Sequence, residues 1–203
     1  MKIVIVDYGM GNIKSISSTL GYLEVSDIIL SSDYEILKTA DKILLPGVGS
    51  FANAINRIRD TKLDIILQEL CLEGTKPLLG ICLGMQLLGM SSPEDGENEG
   101  LRFVEGDVTK FETTNLKVPH VGFNQVVVNP ESRLYHNLPM VNDFYFTHSY
   151  KMNSNASILQ SMCNYGDDFI ASFEVGNIAG TQFHPELSQK NGVQLLKNFI
   201  DFF

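Results

Sequence analysis

A chain of 203 residues with 44% hydrophobic content can bury one core, and we expect a single globular domain over residues 1–203. The net charge of −9 and the lack of a basic cluster argue against a nucleic-acid partner. No apolar run reaches membrane-spanning length, and three cysteines without metal-ligand spacing favour a reducing compartment. We therefore expect a cytoplasmic protein with no membrane contact, no metal and no cofactor.

The first ninety residues alternate apolar runs with helical stretches. The runs predict buried strands at 2–6, 27–30, 42–45 and 77–81, and helical patterns fall at 12–24, 51–73 and 83–90. The first run lacks the length and cleavage site of a signal peptide. This alternation is typical of an α/β fold with a mostly parallel central sheet flanked by helices, in which loops after the strands form the site.

The loop D-Y-G-M-G-N at 7–12 places two glycines between a strand and a helix, as dinucleotide sites do. However, the third glycine of G-x-G-x-x-G would fall on Lys14, and Ser31 and Ser32 follow the second strand where an acidic residue is needed. The pattern does not favour nucleotide binding, and we interpret Asn12 as a helix cap or a contact residue.

The loop P-G-V-G-S at 46–50 follows the third strand. Gly47 and Gly49 are free to adopt positive φ, so the loop can turn the N–H of Val48 or Gly49 toward an oxyanion, alongside the N–H of Leu83. Taken alone, the same residues are also compatible with an ordinary glycine turn.

Residues 80–84, G-I-C-L-G, carry a cysteine from a strand into a helix between two glycines. The missing Cβ atoms allow a sharp turn, and the helix start favours the thiolate of Cys82. Cys71 and Cys163 have no such surroundings, and we interpret them as buried structural thiols.

The second half of the chain is richer in short β segments. The acidic run at 93–100 predicts a solvated surface loop. Segments at 103–111, 123–128, 143–150, 168–174 and 177–183 predict antiparallel and mixed strands that extend the sheet, and 189–203 predicts a closing amphipathic helix.

The segment G-T-Q-F-H-P-E at 180–186 supplies what a thiol nucleophile needs. His184 can act as the base and Glu186 can orient it, while Pro185 prevents a helix from running through the pair. His120 and His148 could also serve as the base, but no positioned carboxylate follows either, so we interpret both as structural or substrate-positioning residues.

Six ordered motifs extend this pattern along most of the chain: D-Y-G-M-G-N, L-P-G-V-G-S-F, G-I-C-L-G-M-Q, P-H-V-G-F-N, F-T-H-S-Y and G-T-Q-F-H-P-E. Together they resemble the class I (triad) glutamine amidotransferases, and within them the glutaminase subunits of imidazole glycerol phosphate synthases. The resemblance implies that Cys82, His184 and Glu186 hydrolyse L-glutamine to glutamate and ammonia through a cysteinyl thioester.

The resemblance also implies the remaining site residues and a partner. It places Val48, Gly49 and Leu83 at the oxyanion. Gly47, Gln86, Ser149 and Tyr150 would bind glutamine. Asn12, His120, Phe123 and Asn124 would lie at the interface of a heterodimer with a (β/α)8-barrel cyclase subunit. Ammonia would pass through a channel to that subunit for histidine biosynthesis.

Two positions depart from the family pattern. Phe123 stands where members usually carry tryptophan, and G-L-R-F at 100–103 replaces a small, glycine-rich stretch. These changes leave open a paralogous glutaminase subunit that supplies ammonia for amidino-sugar synthesis in surface polysaccharides. A cysteine hydrolase or peptidase acting on another acyl group, and a non-catalytic binding or regulatory domain of the same fold, are the further alternatives.

Overall fold

The computed structural model describes residues 1–112 and 116–203, with helices and strands that largely follow the sequence pattern. The helices are α1 (Ile13–Tyr22), α2 (Tyr34–Lys38), α3 (Phe51–Asp60), α4 (Leu63–Leu67), α5 (Leu83–Leu87) and α6 (Gln189–Phe202). The strands are β1 (Lys2–Val6), β2 (Asp27–Ser31), β3 (Lys42–Gly47), β4 (Leu78–Cys82), β5 (Ser91–Ser92), β6 (Asn98–Glu99), β7 (Asp107–Lys110), β8 (His120–Val127), β9 (Val141–His148), β10 (Tyr150–Asn153), β11 (Ser161–Tyr165), β12 (Asp167–Val175) and β13 (Ile178–Thr181).

A nine-stranded mixed sheet forms the centre, in the order β2-β1-β3-β4-β13-β12-β11-β8-β9. The pairs from β2 through β13 are parallel, and the pairs from β13 through β9 are antiparallel. The predicted α/β fold, with a parallel core and an added antiparallel region, is confirmed.

A second, four-stranded sheet has the order β10-β7-β5-β6. The segment 143–150, predicted as one strand, divides at Ser149, where the chain passes from β9 in the large sheet to β10 in the small one. The helical stretch 51–73 is also divided: α3 ends at Asp60, Lys62 adopts a left-handed φ of 60°, and a π-helical segment, Gln68–Glu73, follows α4.

The parallel part of the large sheet buries both of its faces, as continuous apolar strands require. Alternate residues of β1 point to opposite sides, so that Val4 and Val6 pack in the core that contains α3, while Ile3 and Ile5 pack in the core that contains α1 and α6. Complete burial of a side chain of this size stabilises the fold by about 1.5–3 kcal/mol relative to leaving it exposed.

The strand register determines which loops meet. Parallel pairing of β3 with β4 sets Gly47 opposite Cys82, and parallel pairing of β13 with β4 sets Thr181 opposite Ile81. The carboxyl ends of these three strands therefore lie side by side, which brings the loops that follow them to one edge of the sheet.

Candidate active site

Cys82 occupies a strained turn between β4 and α5. Its φ of 54° and ψ of −111° are unusual for a residue other than glycine, and such backbone costs on the order of 1–3 kcal/mol. The two flanking glycines permit close packing around it. A Cβ at Gly84 would lie 1.8 Å from the carbonyl oxygen of Leu45, and one at Gly80 would lie 2.8 Å from the backbone of Gly84.

His184 and Glu186 form a buried hydrogen-bonded pair just after β13. The Nδ1 atom of His184 lies 2.8 Å from Oε1 of Glu186, and both side chains are almost completely inaccessible. Because a carboxylate can only accept, Nδ1 carries the donated hydrogen, which leaves Nε2 for the nucleophile. The Oγ atom of Ser188 donates to the His184 carbonyl at 2.6 Å and fixes the backbone of the turn.

The electrostatics of His184 favour its protonated form. Burial alone would lower the pKa of His184, but the Cys82 sulfur and the Glu186 carboxylate more than offset it and raise this pKa to about 10. Within the described residues no group meets hydrogen-bond geometry at Nε2 of His184, although the sulfur is near enough to affect its pKa. The arrangement suits an imidazolium held between the Cys82 sulfur and the Glu186 carboxyl group.

One cavity of about 390 Å³ contains most of the residues predicted for the site. Its lining comprises Val48, Gly49, Cys82, Leu83, Gln86, Glu94, Pro119, Thr147, His148, Ser149, Tyr150 and His184. Of the two loop glycines expected to allow positive φ, Gly49 adopts it, at 102°, and Gly47 does not. Gly47 lies behind the cavity, where a Cβ would meet the N atom of Gly84 at 2.6 Å.

The side-chain amide of Gln86 has a fixed orientation at the cavity. Its Nε2 atom donates to the carbonyl of Tyr150 and to Oε1 of Gln182, both at 2.9 Å. Both amide hydrogens are thereby engaged, and the carbonyl oxygen is the side-chain atom left for a ligand.

Glu94 is a cavity residue that the sequence did not reveal. The acidic run 93–100 was predicted to be a solvated loop, and Asp95 and Glu97 are indeed exposed, but Glu94 is half-buried. Its Oε2 atom accepts from the N–H of Phe51 at 2.8 Å. Burial raises the pKa of Glu94, an effect that this hydrogen bond opposes. Nothing in the run distinguishes Glu94 from its acidic neighbours except Pro93 before it.

Cys71 and Cys163 are buried, as predicted, and burial raises the pKa of each thiol to about 12. Neither belongs to the lining of the cavity. Cys82 is the cysteine that the structure places beside His184.

His120 and His148 form a second buried pair. The Nδ1 atom of His120 lies 3.0 Å from Nε2 of His148, whose Nδ1 lies 2.7 Å from the Tyr150 carbonyl. Burial lowers the pKa of His120 to about 4 and that of His148 to about 3, so both are neutral near pH 7. The ring of His120, expected at a partner interface, is 3% exposed and stacks between Phe146 and Tyr165, so its side chain is not at the surface.

The other residues expected at an interface differ in their surroundings. Phe123 is 49% exposed and makes an edge-to-face contact with Tyr145. Asn124 is half-buried and donates to the carbonyl of Asn164 at 2.9 Å. Asn12 makes no side-chain cap at α1, and its Nδ2 atom instead donates to Oε1 of Glu186 at 3.1 Å.

Comparison with known proteins identifies the family of the chain. Residues 4–202 match the family profile described as glutamine amidotransferase class-I. The chain belongs to this family.

Curated relatives cover almost the whole amidotransferase chain. The imidazole glycerol phosphate synthase subunit HisH 2 of Vibrio vulnificus is 41% identical over 203 residues, which are 100% of this chain and 95% of the relative. The subunit HisH of Aquifex aeolicus is 39% identical over 200 residues, 98% of this chain and 96% of the relative. That of Methanosarcina barkeri is 42% identical over 203 residues, covering 98% of each chain.

Solved structures share the fold at lower identity. A putative GMP synthase subunit from Thermoplasma acidophilum superposes with a TM-score of 0.73 at 20% identity, over 98% of this chain and 92% of that one. A structure described as a glutamine amidotransferase gives a TM-score of 0.75 at 17% identity, over 98% and 97%. Among residues 1–112 and 116–203, no helix of the amidotransferase is long and apolar enough to cross a membrane.

Proposed function

We propose that this chain is the glutaminase subunit of an imidazole glycerol phosphate synthase, with Cys82, His184 and Glu186 as its catalytic triad. The observation that carries the proposal is the cavity that Cys82 and His184 line together with the glycine loop at 48–49. The names of the relatives, and identities near 40% over the full chain, support the choice of synthase.

The first half of the reaction transfers the acyl group to sulfur. The Cys82 thiolate attacks the side-chain amide carbon of glutamine, and the amide oxygen becomes an oxyanion. The N–H groups of Gly49 or Val48 and of Leu83 would stabilise this charge. His184 then gives its proton to the leaving nitrogen, so that ammonia departs and a γ-glutamyl thioester remains.

The second half releases glutamate. His184, now neutral and held by Glu186, accepts a proton from water, and the resulting hydroxide attacks the thioester carbon. Collapse of the second tetrahedral intermediate expels the Cys82 thiolate and leaves the proton on His184, which restores the resting state. The raised pKa of His184 fits a group that is protonated at the start of each cycle, donates that proton in the first half and regains one in the second.

The polar groups of the cavity fit a free amino acid. The remaining acceptor of Gln86 and the carboxylate of Glu94 would bind an α-ammonium group, which is a cationic donor. The backbone at Ser149 and Tyr150, where the chain passes between the two sheets, would hold the α-carboxylate side.

We place the barrel cyclase partner against the outer face of β8 and β9. Phe123 and Val121, which are 49% and 57% exposed, lie on that face, and Asn12 lies beside the catalytic carboxylate near it.

The test is to produce the chain with the barrel subunit from the same organism and to measure glutamate, ammonia and imidazole glycerol phosphate. Cys82→Ser should abolish release of both glutamate and ammonia, while Cys71→Ser, a buried control outside the cavity, should retain it. Turnover that survives Cys82→Ser would refute the mechanism.

Phe123 favours a second candidate, in which the same glutaminase serves an amidino-sugar synthase. A complex that hydrolyses glutamine and yet makes no imidazole glycerol phosphate from the cyclase substrate would favour this paralogue. Absence of glutamine hydrolysis with either partner, together with hydrolysis of another amide or ester, would favour a general cysteine hydrolase.

A further inference from the structure

Gln182 is a buried polar side chain that lies between two residues of the site. It follows β13 by one position and is 0% exposed. Its Nε2 atom lies 3.8 Å from the sulfur of Cys82, which is hydrogen-bonding range for sulfur, and its Oε1 atom accepts from Gln86 at 2.9 Å. A buried amide retains its place only when such partners satisfy it.

The direction of these hydrogen bonds is fixed by one backbone carbonyl. The oxygen of Tyr150 can only accept, so the atom of Gln86 that faces it at 2.9 Å must be the amide nitrogen. The other hydrogen of that nitrogen requires an acceptor, which sets Oε1 of Gln182 toward Gln86. The nitrogen of Gln182 therefore faces the sulfur and donates to it.

The Tyr150 carbonyl also accepts a second hydrogen bond. Nδ1 of His148 lies 2.7 Å from it and must donate, so Nε2 of His148 accepts from Nδ1 of His120. Nε2 of His120 in turn accepts from the amide of Asn124 at 3.3 Å. Each member has one consistent tautomer or orientation, so the assignment at Gln182 does not depend on an arbitrary choice of amide rotamer.

We propose that Gln182 is a positioning residue of the glutaminase site, which donates a hydrogen bond to the Cys82 sulfur and locks the amide of Gln86. The inference rests on the proposed role of Cys82 as the nucleophile. A thiol is a weak acceptor and a thiolate a strong one, so a donor fixed beside the sulfur favours the reactive form. His184 and Tyr8 are titratable groups that also interact with this sulfur, and the Thr147 carbonyl oxygen lies 3.9 Å from it; the Gln182 variants leave all three in place. The same side chain keeps the Gln86 carbonyl turned to the cavity.

The test measures the rate of alkylation of Cys82 by iodoacetamide against pH, resolved by peptide mass spectrometry in the full chain. Gln182→Met keeps the volume and removes both hydrogen bonds. Gln182→Asn shortens the amide by one methylene group, so that it cannot reach both partners, and it remains informative if the methionine variant fails to fold. Thr181→Val is the matched control, because Thr181 is equally buried and loses one hydrogen bond, to Phe183, away from the sulfur.

We expect the pH of half-maximal alkylation to rise by about one unit in both Gln182 variants, and to stay at the wild-type value in Thr181→Val. An unchanged midpoint in the folded Gln182 variants, or an equal rise in Thr181→Val, would overturn the inference. The proposed function fails differently: in that case wild-type Cys82 would label no faster than Cys71 and Cys163, whatever the Gln182 variants do.

Discussion

The buried histidine pair makes the stability of this protein depend on pH in a predictable direction. Unfolded histidine titrates near 6.5, whereas burial lowers the pKa of His120 to about 4 and that of His148 to about 3. At pH values between the folded and the unfolded pKa, these histidines bind protons in the unfolded chain and not in the folded chain. The pair therefore contributes its full stability above pH 6.5, and this contribution is lost as the pH falls.

The size of the effect follows from the distance below pH 6.5. At pH 5.5, a histidine that stays neutral in the folded chain lowers the free energy of unfolding by about 1.4 kcal/mol, because the unfolded chain gains a proton there. At pH 7.5 the same histidine lowers it by almost nothing. Two such residues amount to about 2.8 kcal/mol. This figure requires only that both native pKa values lie well below 5.5, as they do.

His120→Phe is the informative perturbation. Phenylalanine can keep the stacking of His120 between Phe146 and Tyr165, whose ring centroids lie 4.9 and 3.9 Å away. It removes the donor to His148, which should cost about 1–3 kcal/mol at pH 7.5. It also removes one titrating group, so the difference in unfolding free energy from wild type should shrink by about 1.4 kcal/mol at pH 5.5.

The assay is urea denaturation of wild type and variant at pH 7.5 and 5.5, with the free energy of unfolding taken by linear extrapolation. Titrations that the variant leaves unchanged, such as that of His184, cancel in the difference between the two proteins. His136→Gln, at an exposed position, is the control for loss of a surface histidine. A difference that is the same at both pH values would refute the buried, neutral pair.

Three further predictions concern the site. Asn12→Ala should lower kcat for glutamine by about tenfold, because a hydrogen bond to a charged carboxylate contributes about 1.5 kcal/mol, and an unchanged kcat would remove Asn12 from the machinery. Gly84→Ala should destabilise the fold by about 3 kcal/mol or more in urea denaturation, since its Cβ would overlap the Leu45 carbonyl; wild-type stability would contradict the packing. At pH 8, Cys71 and Cys163 should alkylate at least about 100-fold more slowly than the nucleophile, because burial raises their pKa; comparable rates by peptide mass spectrometry would contradict that burial.

The parallel half of the fold could be predicted from sequence because its signals are local. Strands such as 2–6 and 42–45 are continuous apolar runs, and the closing helix at 189–203 shows a helical period over its full length. Both predictions are confirmed. The boundaries of shorter elements are less evident: α5 ends at Leu87, three residues before the predicted end, because the chain there turns into the small sheet.

Strand order could not be predicted, because it depends on pairings between distant segments. β13 is the last strand in the chain, yet it lies beside β4 at the centre of the sheet and brings His184 to Cys82. The motifs alone indicated that the two residues work together, but no local pattern specifies that neighbourhood. The same holds for His120, whose burial comes from side chains on other strands, such as Tyr165 of β11.

The role of Gln182 is not evident from the sequence for a different reason. It stands two positions before His184, and in extended backbone such residues point to the same side. That spacing was a usable signal for a third polar residue at the site. It did not reveal the partners, because the orientation of the amide depends on the Tyr150 carbonyl, which belongs to another strand.

The segment 8–12 connects the two halves of the proposed catalytic site. The hydroxyl of Tyr8 donates to the carbonyl of Pro46 at 2.6 Å, at the base of the oxyanion loop, while Asn12 donates to Glu186 at 3.1 Å. A displacement of this segment would therefore alter the oxyanion loop and the triad carboxylate together. Because the proposed acyl transfer needs both groups in place, a partner that contacts this segment would affect the whole reaction without touching Cys82.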